Sequence, residues 1–552
     1  AGVDLAGTAS ADAAVRSVTY AVGSTTGTAT TSGRKAVSWS AAAVPLAQGP
    51  DTITVTARDL LGRTGSASVQ VFQAPLVTDQ RIIPIPYTGG YPAKGVPLRD
   101  PATGLQVTRV ADASELTGDY GGHQSAQSLI VYSRYTAVNT TGEYVLVHGD
   151  DSTSAWIYRT RDNRMMAALR FAPAQGQASR TLGEVNELRW DYSGAHPYRL
   201  YFVGRSLGGV GPSGENVGMS FYETDFDPAT GTQQAPVLVH DFSHEFPDAH
   251  AEIMNDVEGD SSNDSRYWAW QVMDTSLGSG YLPYAIFAYD RTTDTVTGSI
   301  RQDCSAARVP CVAVATPATA KPYLSRPNMV EMSPLGTRAI VDWGRAYTGN
   351  RDADIGTVAD GPKAFLPTFA DPIRIGADET HSGWAWGPNG EELFVSQNDR
   401  DDYVEAVDIH DAGTAHCTSL GGNSYSCGTR IVPYALLDGG TWTLGMHFGK
   451  VYDRNRRGWV FMSTYDSDYS SWGKNQNLLV QVNDCTVKPS AIVRFGSTYN
   501  VHFDYRSEGS GSLDFRGEGV WTTANWGYSD GRGDVFRVQL PVDWYAALPA
   551  GQ

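Results

Sequence analysis

The 552-residue sequence predicts an all-β chain, with a small β-sandwich over residues 1–75 followed by a seven-bladed β-propeller over residues 76–552. Three observations predict it. The composition changes near residue 75, from a stretch rich in Thr, Ser, Ala, Val and Gly with almost no aromatics to one dense in Tyr and Trp. A turn followed by a short apolar strand then recurs seven times, while few segments carry helical periodicity. The length exceeds what one ordinary core fills, so two or more folding units are expected.

The first segment alternates polar and apolar residues over Ser17–Tyr20, Ala36–Trp39, Thr52–Ala57 and Ser66–Val71, with turn residues between the runs. Period-two alternation of this kind reads as half-buried strands. The stretches Leu5-Ala-Gly-Thr-Ala-Ser-Ala-Asp and Asp51-Thr-Ile-Thr-Val-Thr-Ala-Arg-Asp resemble bacterial immunoglobulin-like modules, which occur in strings on secreted proteins. The resemblance covers nearly all of residues 1–75 and implies a spacer rather than a catalytic unit. The first strand looks clipped, so the chain reads as part of a longer multi-module protein.

The seven turns begin at Asn139, Asp191, Asn263, Ser333, Gly387, Asp453 and Asp514, a mean spacing of about 62 residues. Asn, Asp and Gly supply the turn conformations. The strand after each turn is apolar on both faces, as a sheet packed between two others requires. A spacing near 62 fits one four-stranded sheet plus loops and is far longer than a β-helix repeat. The segment Arg81–Val110 precedes the first turn and is expected to lend an outer strand to the last sheet, which removes an exposed edge.

Lys and Arg number 42 against 60 Asp and Glu, a formal charge of −18. That balance argues against a nucleic-acid partner, whose binding rests on clustered cations. It offers no long-range attraction to an acidic polysaccharide either, so such a substrate would need Arg and His gathered in one pocket. No apolar run reaches the ~20 residues of a membrane helix and no leader pattern is recognisable, so a mature or trimmed chain is expected; a monomer is expected as well. Of five cysteines, Cys304 with Cys311 and Cys417 with Cys427 lie close enough to close local loops, leaving Cys485 over. Two local disulfides favour a secreted, extracellular location.

Counting back from each turn registers the innermost strands. Six residues before Gly387 is His381, and six before Asp453 is His447, so two neighbouring sheets present a histidine at one level. Counting back five gives Arg134, Asn186, Glu258, Asn328 and Ser382. Nearby lie His123 and Tyr132, the potential ion pair Glu187 with Arg189, and the run Tyr499-Asn-Val-His502-Phe-Asp-Tyr505-Arg506. Trp384, Trp386, Trp442 and Trp526 could stack on sugars, although blade packing is the commoner role of tryptophan in such folds. Each of these residues also has a plain structural reading, as a buried ion pair or a loop hydrogen bond. Two histidines in register beside Arg and Asn is the pattern that departs most from it. No Gly-x-Ser-x-Gly elbow, Walker motif or His-Glu-x-x-His zinc motif is present, and no cofactor is called for. The Asp-rich turns Asn398–Asp402 and Asp466–Asp468 could hold a structural Ca2+, without the full EF-hand pattern.

Tyr132-Ser-Arg-Tyr-Thr-Ala-Val-Asn, His381-Ser-Gly-Trp-Ala-Trp, and His447-Phe-Gly-Lys with Gly458-Trp-Val-Phe-Met-Ser-Thr-Tyr resemble secreted bacterial seven-bladed propellers. That group includes ulvan-lyase-like and oligogalacturonate-lyase-like polysaccharide lyases, and the likeness extends over most of residues 80–545. It implies β-elimination on a uronic-acid polysaccharide. Arg134, Arg189 or Asn328 would neutralise the substrate carboxylate. His381, His447, His123 or Tyr132 would transfer protons, with Tyr505 as a further acid. Asn186, Glu187, His502 and Trp384 would complete the binding surface. The metal set of the oligogalacturonate enzymes is not recognisable. A non-catalytic glycan-binding or adhesion propeller fits the same modules, and a glycoside hydrolase would draw on Glu187 and Glu258.

Overall fold

The computed structural model describes all residues except 1, 84–89, 117–124, 150–154, 170–186, 205–209, 212, 248–250, 256–257, 275–281, 302–310, 314–321, 344–360, 377–380, 400, 412–416, 422–423, 442, 483–491, 504–506, 543 and 549–552. It is almost wholly antiparallel β-structure.

Residues 2–73 form two sheets. One has the order Gly2–Ser10, Ala36–Pro45, Thr30–Gly33, and the other Thr25–Thr28, Val15–Val22, Gly49–Asp59, Thr64–Gln73. Their inward-facing Val3, Val22, Val44 and Ile53 form one small core, and Val18, Ala29 and Val37 a second. Full burial of a Val or Ile side chain contributes roughly 1.5–3 kcal/mol, so this is a modest core. Val542 from the far end of the chain packs on it, and the Val542 amide donates to the Phe72 carbonyl at 2.7 Å.

Among the described residues the rest of the chain forms seven larger sheets and two small two-stranded ones, Cys311–Ala313 with Pro322–Leu324 and Cys417–Gly421 with Ser424–Cys427. In the first, Leu129–Ile130, Tyr144–His148, Ala155–Arg159 and Arg164–Leu169 pair in sequence order. The leading strands of the next five sheets are Arg189–Trp190, Ala251–Met254, Met329–Met332, Ser382–Trp386 and Gly445–Gly449. The seventh begins with Ser512–Leu513 and Gly519–Ala524. It is completed by Gln106–Arg109, which pairs with Asp534–Gln539, so the segment before the first repeat does supply an outer strand to the last sheet.

The repeated turns join the first and second strand of each sheet. Gly142, Gly194, Gly336, Gly390, Gly458 and Gly517 all take positive φ there, and Ser265 takes φ 53° at the matching place in the third sheet. This is why the turns, more than the strands, carry the repeat.

Successive sheets share apolar cores. Phe221 of the second sheet meets Trp270 of the third, Ile340 of the fourth meets Phe394 of the fifth, and Val395 of the fifth meets Val460 of the sixth. The cluster around Trp156 unites the first and second sheets with Trp521 and Val535 of the seventh, so the succession returns to its start. Among the described residues no helix is long and apolar enough to cross a membrane.

Candidate active site

The leading strands bring the candidate residues together. His381 directly precedes Ser382–Trp386, and the hairpin register puts it across from Gln397 on the second strand of that sheet. The Gln397 amide donates to the His381 carbonyl at 3.0 Å, and His381 Nδ1 lies 2.8 Å from Gln397 Oε1. An amide oxygen only accepts, so Nδ1 carries the hydrogen and Nε2 keeps its lone pair.

His447 sits mid-strand in Gly445–Gly449, its side chain 2 % exposed. Its ring meets that of His381 at 4.4 Å between centroids, edge to face. Tyr132, from the first sheet, lies edge-on at 5.3 Å, and Tyr465 stacks at 5.1 Å. Gly445 permits the last contact, because a Cβ there would fall 2.2 Å from the Tyr465 ring. Tyr465 in turn lies 5.2 Å from His502. His381, His447, His502, Tyr132 and Tyr465 thus form one continuous aromatic cluster drawn from three sheets.

Both central imidazoles are held neutral. Burial pushes the His381 pKa down to about 4, and the nearby Arg134 guanidinium adds to the shift. Burial likewise holds His447 well below the ordinary histidine value, with the His381 and His502 rings lowering it further. A neutral imidazole with a fixed tautomer keeps one ring nitrogen lone pair free of a proton at pH 7.

Beside the aromatic cluster lies a buried charge network. Arg134, 2 % exposed, donates to the Ser382 carbonyl at 2.6 Å and to Ser382 Oγ, and it ion-pairs with Glu331. Glu331 also accepts from Trp384 Nε1 at 2.8 Å, and its burial raises its pKa. A second group centres on Asp260, which holds Lys450 at 3.0 Å and Arg189 at 3.6 Å. The Arg189 guanidinium lies 3.3 Å over the Tyr135 ring and donates to the Gly259 carbonyl. These contacts tie the first sheet to the second, fourth and fifth, and the third to the sixth.

The network locates the other sequence candidates. Arg134 and Arg189 are enclosed within it rather than presented to solvent. Trp384, 1 % exposed, packs on Phe394 and is closed to a sugar, while Trp386 and Trp526 are buried too. Asn328 is half-buried, and its Nδ2 donates to Glu258 at 3.2 Å. Glu187 is buried just before Arg189. His123, Asn186, Tyr505 and Trp442 lie outside the described residues.

Counting back from turns did not reach Gln397, Tyr465, Glu331, Asp260 or Lys450. Gln397 and Tyr465 were within reach, since pairing each leading strand with the strand after its turn places Gln397 opposite His381 and Tyr465 opposite Gly445. Glu508, whose Oε2 lies 3.4 Å from His447 Nε2, comes from the connection between the sixth and seventh sheets, for which the repeat provides no register.

The Asp-rich turns carry cations from the chain itself. Lys474 places its ammonium 3.1 Å from Asp466 and 3.0 Å from Asp468, and Arg430 ion-pairs with Asp401. Among the described residues no group of three or more His, Cys, Asp and Glu side chains is arranged to hold a metal.

No protein-family model matches the chain, and no curated protein matches it in sequence. Solved structures align with it over most of its length. An oligogalacturonate lyase from Vibrio parahaemolyticus aligns at 9 % identity and TM-score 0.45, over 82 % of this chain and 100 % of that one. The PQQ-bound aldose sugar dehydrogenase of Streptomyces coelicolor aligns at 10 % identity and TM-score 0.32, over 78 % and 97 %. The β-propeller domain of Cps50 (Swd1) from Myceliophteria thermophila aligns at 8 % and 0.30, over 68 % and 82 %. The neighbours are propeller-type proteins, and at these scores they assign neither activity nor substrate to this chain.

Proposed function

We propose that the chain is a secreted polysaccharide lyase, an immunoglobulin-like module joined to a seven-bladed propeller, that cleaves a uronic-acid polysaccharide by β-elimination. The observation that carries the reading is the contact between two neutral imidazoles, His381 and His447, one with its tautomer fixed by Gln397. The succession of seven sheets, with the last core returning to the first, supports the seven-bladed architecture. Cys417 opposite Cys427 in a hairpin register supports an oxidising location.

In the reaction, a base removes the proton at C5 of a uronate, the electron pair forms the C4–C5 double bond, and the C4–O bond breaks. Proton transfer by a positioned side chain contributes about 10²–10⁴-fold. Stabilising the charge that develops on the carboxylate is the larger electrostatic task. His381 Nε2 is the base. Tyr132, half-buried, is the candidate to return a proton to the leaving oxygen, and His447, 2 % exposed, packs behind it. Asn328 is the candidate for the substrate carboxylate, because Arg134 and Arg189 are enclosed. Arg134 acts as a positioning residue, holding Ser382 and with it the adjacent His381.

The test is an ultraviolet screen for unsaturated uronide against ulvan, pectate, alginate, glucuronan and glycosaminoglycans. Release from any one, abolished by His381→Ala with the circular dichroism spectrum unchanged, is the expected result. New reducing ends without absorbance would support a hydrolase instead, and binding with neither would support an adhesion propeller.

A further inference from the structure

We propose that one end of the unit formed by residues 2–73 docks on an anionic lipid surface, with Leu60 and Leu61 entering the headgroup layer and a collar of cations facing the lipid phosphates. The proposal goes beyond the lyase reading and does not rest on it.

The strand registers define the two ends of this unit. Gly2 pairs with Pro45 and Gly49 with Gln73 at one end, where Val542 from the end of the chain packs. Ser10 pairs with Ala36, Val15 with Asp59 and Arg58 with Thr64 at the other. Three loops close that second end and are fastened to one another. The Ala11 amide donates to the Lys35 carbonyl at 2.9 Å, the Val15 amide to the Arg34 carbonyl at 2.8 Å, and the Leu60 amide to the Ala14 carbonyl at 3.0 Å.

The turn between Gly49–Asp59 and Thr64–Gln73 is tightly held. The Asp59 carboxylate, 4 % exposed, accepts from the Leu61 and Arg63 amides, each at 2.9 Å, and from Arg63 Nε at 2.7 Å. Gly62 takes φ 84° to complete the turn. Held in this way, Leu60 is 63 % and Leu61 73 % exposed, the highest values of any large apolar side chain among the described residues. An adjacent pair of leucines fixed outward by a buried carboxylate is a feature that folding alone does not require.

Charge gathers at the same end. All five cations of residues 1–75, Arg16, Arg34, Lys35, Arg58 and Arg63, stand there and are exposed. The acids beside them are Asp12 and Asp59, the latter paired with Arg63, whereas Asp4 and Asp51 lie towards the opposite end. A basic tip on a chain with a formal charge of −18 turns that tip towards an anionic surface. The three loops contain no aromatic side chain on which a sugar could stack. They offer about a dozen residues, against the 20–30 a side of a stable protein interface. A lipid interface needs no matching pocket. It takes protruding aliphatic side chains at the acyl boundary while cations meet the headgroups.

Co-sedimentation of the full chain with vesicles tests this, using phosphatidylglycerol and phosphatidylcholine in equal parts and phosphatidylcholine alone. The chain should bind the mixed vesicles, bind the neutral ones far more weakly, and lose affinity as salt rises. Leu60→Ser with Leu61→Ser should weaken binding about tenfold or more. Arg34→Gln with Lys35→Gln should weaken it about fivefold per cation. Both pairs are exposed, so the Tm should not change and a loss of binding is not a loss of folding. No binding to the mixed vesicles overturns the proposal. Equal binding to neutral vesicles overturns the role of the cations, and unchanged binding by the serine pair overturns that of the leucines. A dimer in vesicle-free sedimentation velocity that the serine pair dissolves would make the occupant a second copy of the chain. Retention on pectate that the glutamine pair abolishes, without vesicle binding, would make it an acidic polysaccharide. Either result overturns the lipid assignment.

Discussion

Replacing His381 with glutamine should flatten part of the acid dependence of stability. In the folded chain His381 titrates at about 4, against 6.5 for an unburied histidine. The unfolded state therefore binds more protons between these values, and stability rises with pH through that window. The wild type loses stability as pH falls from 6.5 towards 4, by up to about 3.4 kcal/mol at 1.36 kcal/mol per pH unit. At pH 5 the loss is about 2 kcal/mol. His381→Gln cannot titrate, so the wild-type advantage over it should shrink by these amounts between pH 7 and pH 4. Urea unfolding of both proteins at pH 7, 6, 5 and 4.5, followed by tryptophan fluorescence, reads the difference directly, with constant m-values as the check that one transition is compared. A stability difference independent of pH would show that His381 is hydrated and refute its assignment as a neutral base.

Other expectations follow from the buried charges and the hairpin cysteines. Glu331→Gln leaves the Arg134 guanidinium buried without its carboxylate and should cost about 3–5 kcal/mol in urea unfolding, whereas Arg134→Met with Glu331→Leu should recover most of it. Calcium should not raise the Tm of the wild type, because Lys474 already pairs with both Asp466 and Asp468; a saturable rise would place an ion there. Non-reducing peptide mapping should recover Cys417 linked to Cys427, and reduction should destabilise the chain by about 2–3 kcal/mol; free thiols at both would remove the support for an oxidising location.

The sequence made the repeat legible because a tight turn constrains residue identity locally. A position requiring positive φ selects Gly or Asn wherever it stands, so five of the seven turns carry Gly three residues after the turn begins, and the sixth-sheet turn carries its Gly two residues later, at Gly458. The paired histidines were legible for a related reason, since a fixed offset from each turn maps to one level of the leading strands. The charge network was not. Glu331 and Asp260 each bind cations more than 150 positions away in sequence, and no local pattern encodes such a partner. Reading Arg134 and Arg189 as substrate ligands follows naturally when their partners are invisible. Glu508 was illegible because it lies in a connection between sheets, where the repeat has no register.

The network and the aromatic cluster act on one another through the dielectric. Arg134, Arg189 and Lys450 are cations enclosed with Glu331 and Asp260, and in a poorly hydrated interior their fields reach further than at a surface. Arg134 helps to keep a proton off His381, and His381 helps to keep one off His447. A network that only fastened sheets together could have used apolar side chains of similar volume at little cost in stability. Charges retained beside two imidazoles instead fix which groups are protonated before any substrate arrives. By the same reasoning, Arg134→Met with Glu331→Leu should leave the chain folded and raise the His381 pKa. The acid limb of uronide release would then move to higher pH, whereas an unmoved limb would reduce the network to a structural fastening.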